Sequence, residues 1–160
     1  MSGRPLQQIL PLLGSDLRLD YHSSAGFFED ADLSTHRTAG RGVRAVDLST
    51  TDGLDNLTQA LANRLKTRKG ELGPLGHPDY GSRHHELIGE PNTERTRNLI
   101  KLYILQALRD EARIERVLSA TVRAEHVPPR DSVRIEISAR VRGQPDPLNL
   151  VVPFFLTGSP

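Results

Sequence analysis

Six histidines are the first residues to weigh for chemistry. His77 and Asp79 lie in a glycine-rich stretch, and the adjacent pair His84 and His85 follows shortly after it. Adjacent side chains point in different directions on a helix, and no H-E-x-x-H spacing is present. The histidines are therefore expected at the surface or in loops, and no metal site is predicted. A pair of carboxylates for glycoside hydrolysis could come from Glu71, Glu90 and Glu111. That reaction needs two carboxyl groups about 5–9.5 Å apart across a sugar cleft, one with a raised pKa. Nothing in the spacing fixes such a pair. Ser82, in Tyr80-Gly81-Ser82-Arg83, lacks the G-x-S-x-G elbow of a serine hydrolase. With no cysteine in the chain, disulfides, thiolate metal sites and cysteine nucleophiles are all excluded. No catalytic constellation emerges, and no cofactor is implied.

Composition narrows the partners. The 160 residues carry 21 basic and 20 acidic groups, a formal charge of +1. Residues 1–52 hold five basic and seven acidic groups, so neither half generates a field suited to nucleic acid or an anionic membrane. Aromatic content is 4% with no tryptophan, which leaves base-stacking platforms poorly supplied. All but three of the basic residues are arginine, a bias that fits a GC-rich genome and favours paired contacts at interfaces. No segment reaches the roughly 20 apolar residues of a membrane span. The apolar patch Ile9, Leu10, Leu12 and Leu13 is broken by Pro11 and is too short for a signal peptide. Cytoplasmic synthesis without an export signal is the expectation. The length suits one domain with its own core.

The elements that must position these residues come in two parts. Residues 1–50 read as an N-terminal extension, with short strands at 17–21 and 43–48 around a turn-rich stretch containing Phe27 and Phe28. From Asp52 or Thr51, as cap, a helix runs to about Thr67, its stripe formed by Leu54, Leu57, Leu61 and Leu65. Asp55, Gln59, Asn63 and Arg64 take the other face. Gly70 to Gly81 holds four glycines and two prolines and is a loop, without the lysine of a phosphate-binding loop. A short helix is expected from Ser82 to Leu87. A long one begins at Asn92 or Thr93 and ends near Asp110; its centre, 99–105, is apolar nearly all round and predicts cover on more than one side. Period-two alternation then marks three strands. Leu118, Ala120, Val122 and Ala124 share one face of the first; Val133, Ile135, Ile137, Ala139 and Val141 share one face of the second; Leu148, Leu150, Val152 and Phe154 follow in the third. Turns at Pro128-Pro129 and Gly143 to Pro147 join them. The fold class is α+β: a small antiparallel sheet, its C-terminal part a three-stranded meander, packed against two or three helices. Pro153 cannot donate a ladder hydrogen bond, so the last strand belongs at an edge, where another chain can add a strand.

The order of these elements resembles the gene-25-like baseplate wedge family of contractile injection systems. Thr67, Gly70 and Glu71 fit its T-x-x-G-E element, and Pro78, Tyr80 and Gly81 its P-x-[FY]-G segment. The Gly89-Glu90-Pro91-Asn92 break, the Val141-Arg142-Gly143-Gln144-Pro145 hairpin and Pro147-Leu148-Asn149-Leu150 are also similar. Glu111-Ala112-Arg113, followed by Ile114, stands where the family carries a Glu-Pro-Arg triplet. Losing the proline implies a less rigid turn. The resemblance spans about residues 45–156, so residues 51–160 form the family-like domain.

The resemblance implies a structural part in a phage tail-like particle, a type VI secretion system or an extracellular contractile particle. Such a protein docks on the wedge proteins and starts sheath polymerisation by β-strand augmentation, with six copies per baseplate and the inner tube or spike hub as further neighbours. Glu111 and Arg113 are then the wedge-contact motif. The sheath-facing edge strand comprises Leu148, Asn149, Leu150, Val151, Val152 and Phe154. An enzyme is not expected; the lysozyme label carried by some members is taken as an inherited name. The alternatives are a cell-wall hydrolase of the same particle and a small cytoplasmic adaptor on the same fold.

Overall fold

The computed structural model describes residues 13–24, 28–40, 43–125 and 132–156. The chain divides into two compact units, Ser2–Gln59 and Ala60–Pro160, with the boundary inside a helix.

The first unit is built from three antiparallel ribbons. β1 (Ser15–Leu17) pairs with β6 (Thr50–Asp52), β2 (Leu19–Ser24) with β3 (Phe28–Leu33), and β4 (Thr35–Gly40) with β5 (Val43–Leu48). The ribbons meet where Arg18, Ser34 and Ser49 close a ring of backbone hydrogen bonds. Arg18 N donates to Ser49 O, Ser34 N to Arg18 O, and Ser49 N to Ser34 O, each at 2.8 Å. The expected strand at 43–48 forms as β5, the one at 17–21 is divided at Arg18 between β1 and β2, and β3, β4 and β6 come in addition. Two-stranded ribbons can be wet on both faces, so their sequences need no apolar alternation, and the period-two signal is missing. Phe27 lies outside the described residues; Phe28 opens β3.

α1 (Gly53–Lys66) forms as expected, and Leu57, Leu61 and Leu65 are buried on it. Two side chains depart from the expected pattern. Leu54 is 37% exposed, whereas Gln59, placed by its polarity on the outer face, is buried. Gln59 Nε2 donates to Leu17 O and its Oε1 accepts from Leu19 N, both at 2.8 Å, while Asn56 Nδ2 donates to Leu13 O. A buried amide that meets backbone groups on both of its ends loses little on desolvation, so the helix can bury it.

The second unit carries the antiparallel sheet β7 (Ile114–Ala124), β8 (Ser132–Val141) and β9 (Leu148–Phe155), in the order β7-β8-β9. The turn holding Pro128 and Pro129 lies outside the described residues. Alternation holds through β8 and β9: Val133, Ile135, Ile137, Ala139 and Val141 are buried, as are Leu148, Leu150, Val152 and Phe154. On β7 it fails at Leu118, which is 42% exposed. Register shifts between Ile114 and Arg116 and between Val117 and Ser119 each insert a residue, and the second leaves Leu118 out of the inward set. α2 (Glu94–Arg109) starts at Thr93, whose Oγ1 accepts from Thr96 N at 3.2 Å. It buries one stripe, Thr96, Ile100, Ile104, Ala107 and Leu108, and leaves Leu102 47% exposed. The expectation of cover on more than one side gives way to a helix with a single buried face.

Backbone direction along β8 follows from its hydrogen bonds. Ser132 O accepts from Glu125 N, and Arg142 N donates to Arg113 O, so the even-numbered residues of β8 address β7. The odd ones therefore address β9. Val133, Ile135, Ile137 and Ala139 face Phe154, Val152, Leu150 and Leu148 in register. On β9 the intervening Asn149, Val151 and Pro153 turn their backbone groups away from β8. Pro153 thereby costs the ladder nothing, because its missing N–H points off the sheet.

Between α1 and α2 the chain forms a closed loop. Ser82 N donates to Thr67 O at 2.9 Å, Lys69 N to Ser82 O at 3.1 Å and Gly70 N to Tyr80 O at 3.4 Å. Glu71 Oε2 accepts from Arg68 N at 3.0 Å. Short 3-10 turns follow at Gly73–Leu75 and Arg83–Leu87. Gly81, at φ +100°, sits where the strands of the loop come closest; a Cβ there would lie 2.6 Å from Arg68 O and 2.7 Å from Thr67 O. Gly76 also has positive φ (+88°), but a Cβ there meets nothing within 4 Å. Gly76→Ala should cost about 1–2 kcal/mol, the left-handed backbone penalty alone. Gly81→Ala adds a backbone clash and should cost about 3 kcal/mol or more in urea unfolding. Equal losses for the two variants would refute the close-approach argument.

Candidate interaction site

Glu111 follows α2 directly, at the turn that leads into β7. The turn is closed by Glu111 N to Leu108 O at 3.2 Å and Ile114 N to Glu111 O at 3.1 Å. Arg142, at the end of β8, clamps it from the side: Arg142 Nε donates to Ala112 O at 2.8 Å and Arg142 N to Arg113 O at 2.9 Å. The missing proline is thus offset by one hydrogen bond to the alanine in its place and one to Arg113.

Glu111 is only 8% exposed. Arg113 reaches it with Nε to Oε1 at 2.6 Å and Nη2 to Oε2 at 3.0 Å, a bidentate fork. Arg64, from the last turn of α1, brings Nη2 to 3.9 Å from Oε2, and its guanidinium lies 4.7 Å from the centre of the Tyr80 ring. Burial alone would raise the Glu111 carboxyl, but the Arg113 hydrogen bonds and the two guanidinium charges outweigh it and hold the group below the usual carboxylate range. The same carboxylate, by its hydrogen bond, holds the Arg113 guanidinium still more firmly charged. Burial raises the Tyr80 phenol, so it stays neutral. Two motif segments and the end of α1, far apart in sequence, therefore meet in one cluster. Arg64 was read from the sequence only as part of a polar helix face; its position one turn before Thr67 and the T-x-x-G-E element is the signal that could have marked it.

Two shallow depressions flank the Pro78-Asp79-Tyr80 segment. One, about 390 Å³, is lined by Lys69, Arg83, Tyr103 and Arg109 among others; the other, about 630 Å³, by Arg64, His77, Tyr80 and Asp110 among others. Arg83 stacks 4.7 Å over the Tyr103 ring and holds Glu86 with two hydrogen bonds. Among the described residues, no group of three or more histidine, aspartate, glutamate or cysteine side chains is placed to hold a metal ion.

The adjacent histidines are not where the sequence reading put them. His84 is buried, with Nδ1 2.7 Å from Ser82 Oγ and its ring edge-on to Phe154 at 4.5 Å. His85 is half-buried, with Nε2 2.8 Å from Leu65 O. Burial, helped by the neighbouring imidazole, pushes His84 down to about 3, and burial lowers His85 as well. Both are packing residues that tie the 3-10 turn to α1 and β9.

The expected edge residues occupy β9. Leu148, Leu150, Val152 and Phe154 face the core, while Asn149 and Val151 lie on the open face, Val151 at 56% exposure. They share the sheet with the Glu111 turn but not its cluster.

The sequence matches a family model described as baseplate wedge protein gp25 over residues 51–146. That span encloses Arg64, Tyr80, Glu111 and Arg113 and ends just before β9. The crystal structure, at 1.44 Å, of a Geobacter sulfurreducens protein described as a candidate tail lysozyme is similar. It is 30% identical, with a TM-score of 0.57, covering 66% of this chain and 93% of that one. No functionally curated protein matches the sequence.

The histidine packing has a pH signature. His84 folds in its neutral form, while the unfolded chain takes up a proton below about pH 6.5. Its contribution is therefore complete above pH 6.5 and lost as pH falls from there toward 3, at up to about 1.4 kcal/mol per pH unit. Urea unfolding between pH 7 and 5 should show this slope, and His84→Asn should flatten it by roughly one proton whatever its absolute stability. An unchanged slope would reject the assignment.

Proposed function

The chain belongs to the gp25 baseplate wedge protein family, whose members are baseplate components of phage tail-like contractile systems, and on that premise we propose that it docks on the wedge proteins and starts the sheath. The reading assigns the two tasks to two surfaces. Wedge docking uses the turn of Glu111 and Arg113, and sheath growth uses the β9 edge, where a sheath segment adds as a fourth strand. Six copies per baseplate, with the inner tube or spike hub beside them, complete the proposed setting.

The observation that carries the sheath assignment is the outward backbone of Asn149 and Val151, on a regular strand at the end of the β7-β8-β9 order. An edge of that kind gives an incoming strand affinity through main-chain hydrogen bonds and register through alternating side chains. The wedge assignment leans on Arg113, the more exposed member of the Glu111 pair at 26% of its side chain against 9%. Glu111 serves first to hold that arginine in place.

The Geobacter protein's description raises hydrolysis as a second reading. A glycosidase acid needs a carboxyl pKa raised so that it is protonated when it acts. Glu111, the one buried carboxylate among the described residues, is driven the opposite way. The proposed role is accordingly one of assembly.

Two variants test the division of labour. Asn149→Pro with Val151→Pro removes only outward N–H groups; the protein should fold and co-purify with the wedge, yet particles should lack sheath. Arg113→Ala should do the reverse, losing at least tenfold in wedge co-purification from a chain that remains folded. Normal sheaths on the proline variant would end the β9 assignment, and retained wedge binding by Arg113→Ala would end the other. Purified protein should also leave peptidoglycan turbidity unchanged over hours; enzyme-dependent clearing would reinstate the hydrolase.

A further inference from the structure

The outward positions of β9 form a bracketed set. In β9, residues 149, 151, 153 and 155 share the backbone phase that turns away from β8; the third of them is proline, and Pro147 immediately precedes the strand. Asn149 and Val151 are the two successive outward residues of β9 that offer N–H groups, since Pro153 has none and separates them from Phe155, which is partnered within the chain. Leu156, just past the strand, is fastened to the chain by Gly89 N, which donates to its O at 2.6 Å. At the start, Pro147 ends the Gly143–Pro147 turn, which Gln144 N to Val141 O closes at 3.1 Å. The opposite edge of the sheet is a poorer acceptor, since both register shifts lie in β7 and bulges bend and twist a strand.

We propose that the β9 edge admits one short extended segment of a partner chain, in a single register fixed by Pro147 and Pro153. The inference rests on the sheath reading above and goes beyond it by stating length and alignment. A segment of about five residues spans the two donors at the strand rise of about 3.3 Å per residue. Sliding it by two residues toward either proline forfeits one of the two donors. Sliding it by one turns its side chains to the wrong faces. The fitting segment accepts hydrogen bonds at two positions two residues apart and sets an apolar or β-branched side chain beside the exposed Val151. Both prolines sit where they cost the chain's own ladder nothing, so they act on what may join and not on the fold.

The chain has no cysteine, so a single one can be introduced cleanly. Val151→Cys is paired with a series of single-cysteine sheath subunits in assembled particles, and disulfide formation is read at each position. One sheath position should dominate. Adding Pro147→Ala and Pro153→Ala should spread the cross-links to positions two residues either side. Hydrogen exchange on the same particles should slow at least tenfold at the Asn149 and Val151 amides relative to the free protein. Slowed exchange with one unchanged cross-link in the alanine variant overturns the register inference and leaves the edge reading standing. Unchanged exchange at both amides rejects the edge itself. Slow exchange already in the free protein, rising with concentration, assigns the rim to a second copy of this chain and overturns the proposal.

Discussion

A buried carboxylate between two guanidinium groups organises the second unit of this protein. Glu111 is held by Arg113 at 2.6 and 3.0 Å and approached by Arg64 at 3.9 Å, and Arg64 in turn covers Tyr80. Through that one group the end of α1, the loop before the 3-10 turn and the entry to β7 share a common anchor. Arg113 keeps 26% of its side chain exposed and Arg64 still faces the carboxylate, so removing Arg113 costs less than breaking a fully buried pair, about 3–5 kcal/mol. The family motif is thus a clamp within the chain before it is, on the proposed reading, a surface for another protein. This order explains how alanine can replace proline inside the motif. A turn fixed by Arg142 and by its own backbone hydrogen bonds does not depend on a locked φ.

The sheet shows a second constraint acting on its two edges differently. β7 gives up regularity through two inserted residues, and β9 keeps it. An unprotected regular edge invites aggregation, and natural sheets blunt such edges with proline, charge or bulges. Here prolines sit at either end of the regular stretch, in the phase that leaves the inner ladder intact. Pro153 was read from the sequence as a sign of an edge strand. The hydrogen bonds add that its missing N–H falls on the side of the strand turned away from β8.

How much of this was legible depended on whether a residue's environment follows from its polarity. α1, α2, β8 and β9 were readable because their apolar residues recur at the helical or strand period and are buried accordingly. Leu118 was misplaced because a bulge changes phase without leaving a mark in composition. Gln59 and His84 were misplaced because a polar side chain with backbone or hydroxyl partners can be buried, and what covers them is distant in sequence: Leu17 and Leu19 bond Gln59, and Phe154 packs on His84, whose hydroxyl partner Ser82 is local. The ribbons of the first unit carry little alternation, yet a weaker signal was present. Asp16-Leu17, Asp32-Leu33 and Asp47-Leu48 each precede one of the three residues of the hydrogen-bonded ring. The Glu111–Arg113 pair was found through its family motif; its connection to Arg64 and Tyr80 needed the fold, because it joins residues up to 47 positions apart.

The proposed strand exchange also has to be weak in one setting and strong in another. The amides and carbonyls of Asn149 and Val151 can form up to four hydrogen bonds, each contributing about 1 kcal/mol net. That total, about 4 kcal/mol, corresponds to a dissociation constant near 1 mM before any cost of ordering the segment. A free subunit with such an edge would neither capture sheath protein from solution nor polymerise alone. Held on a wedge beside other copies, the same edge meets a partner already tethered nearby, and effective concentrations in the millimolar range make millimolar contacts count. On this reading the clamp at Glu111 and the short rim at β9 belong to one design. The first fixes the subunit where its neighbours are, and the second is kept too small to act anywhere else.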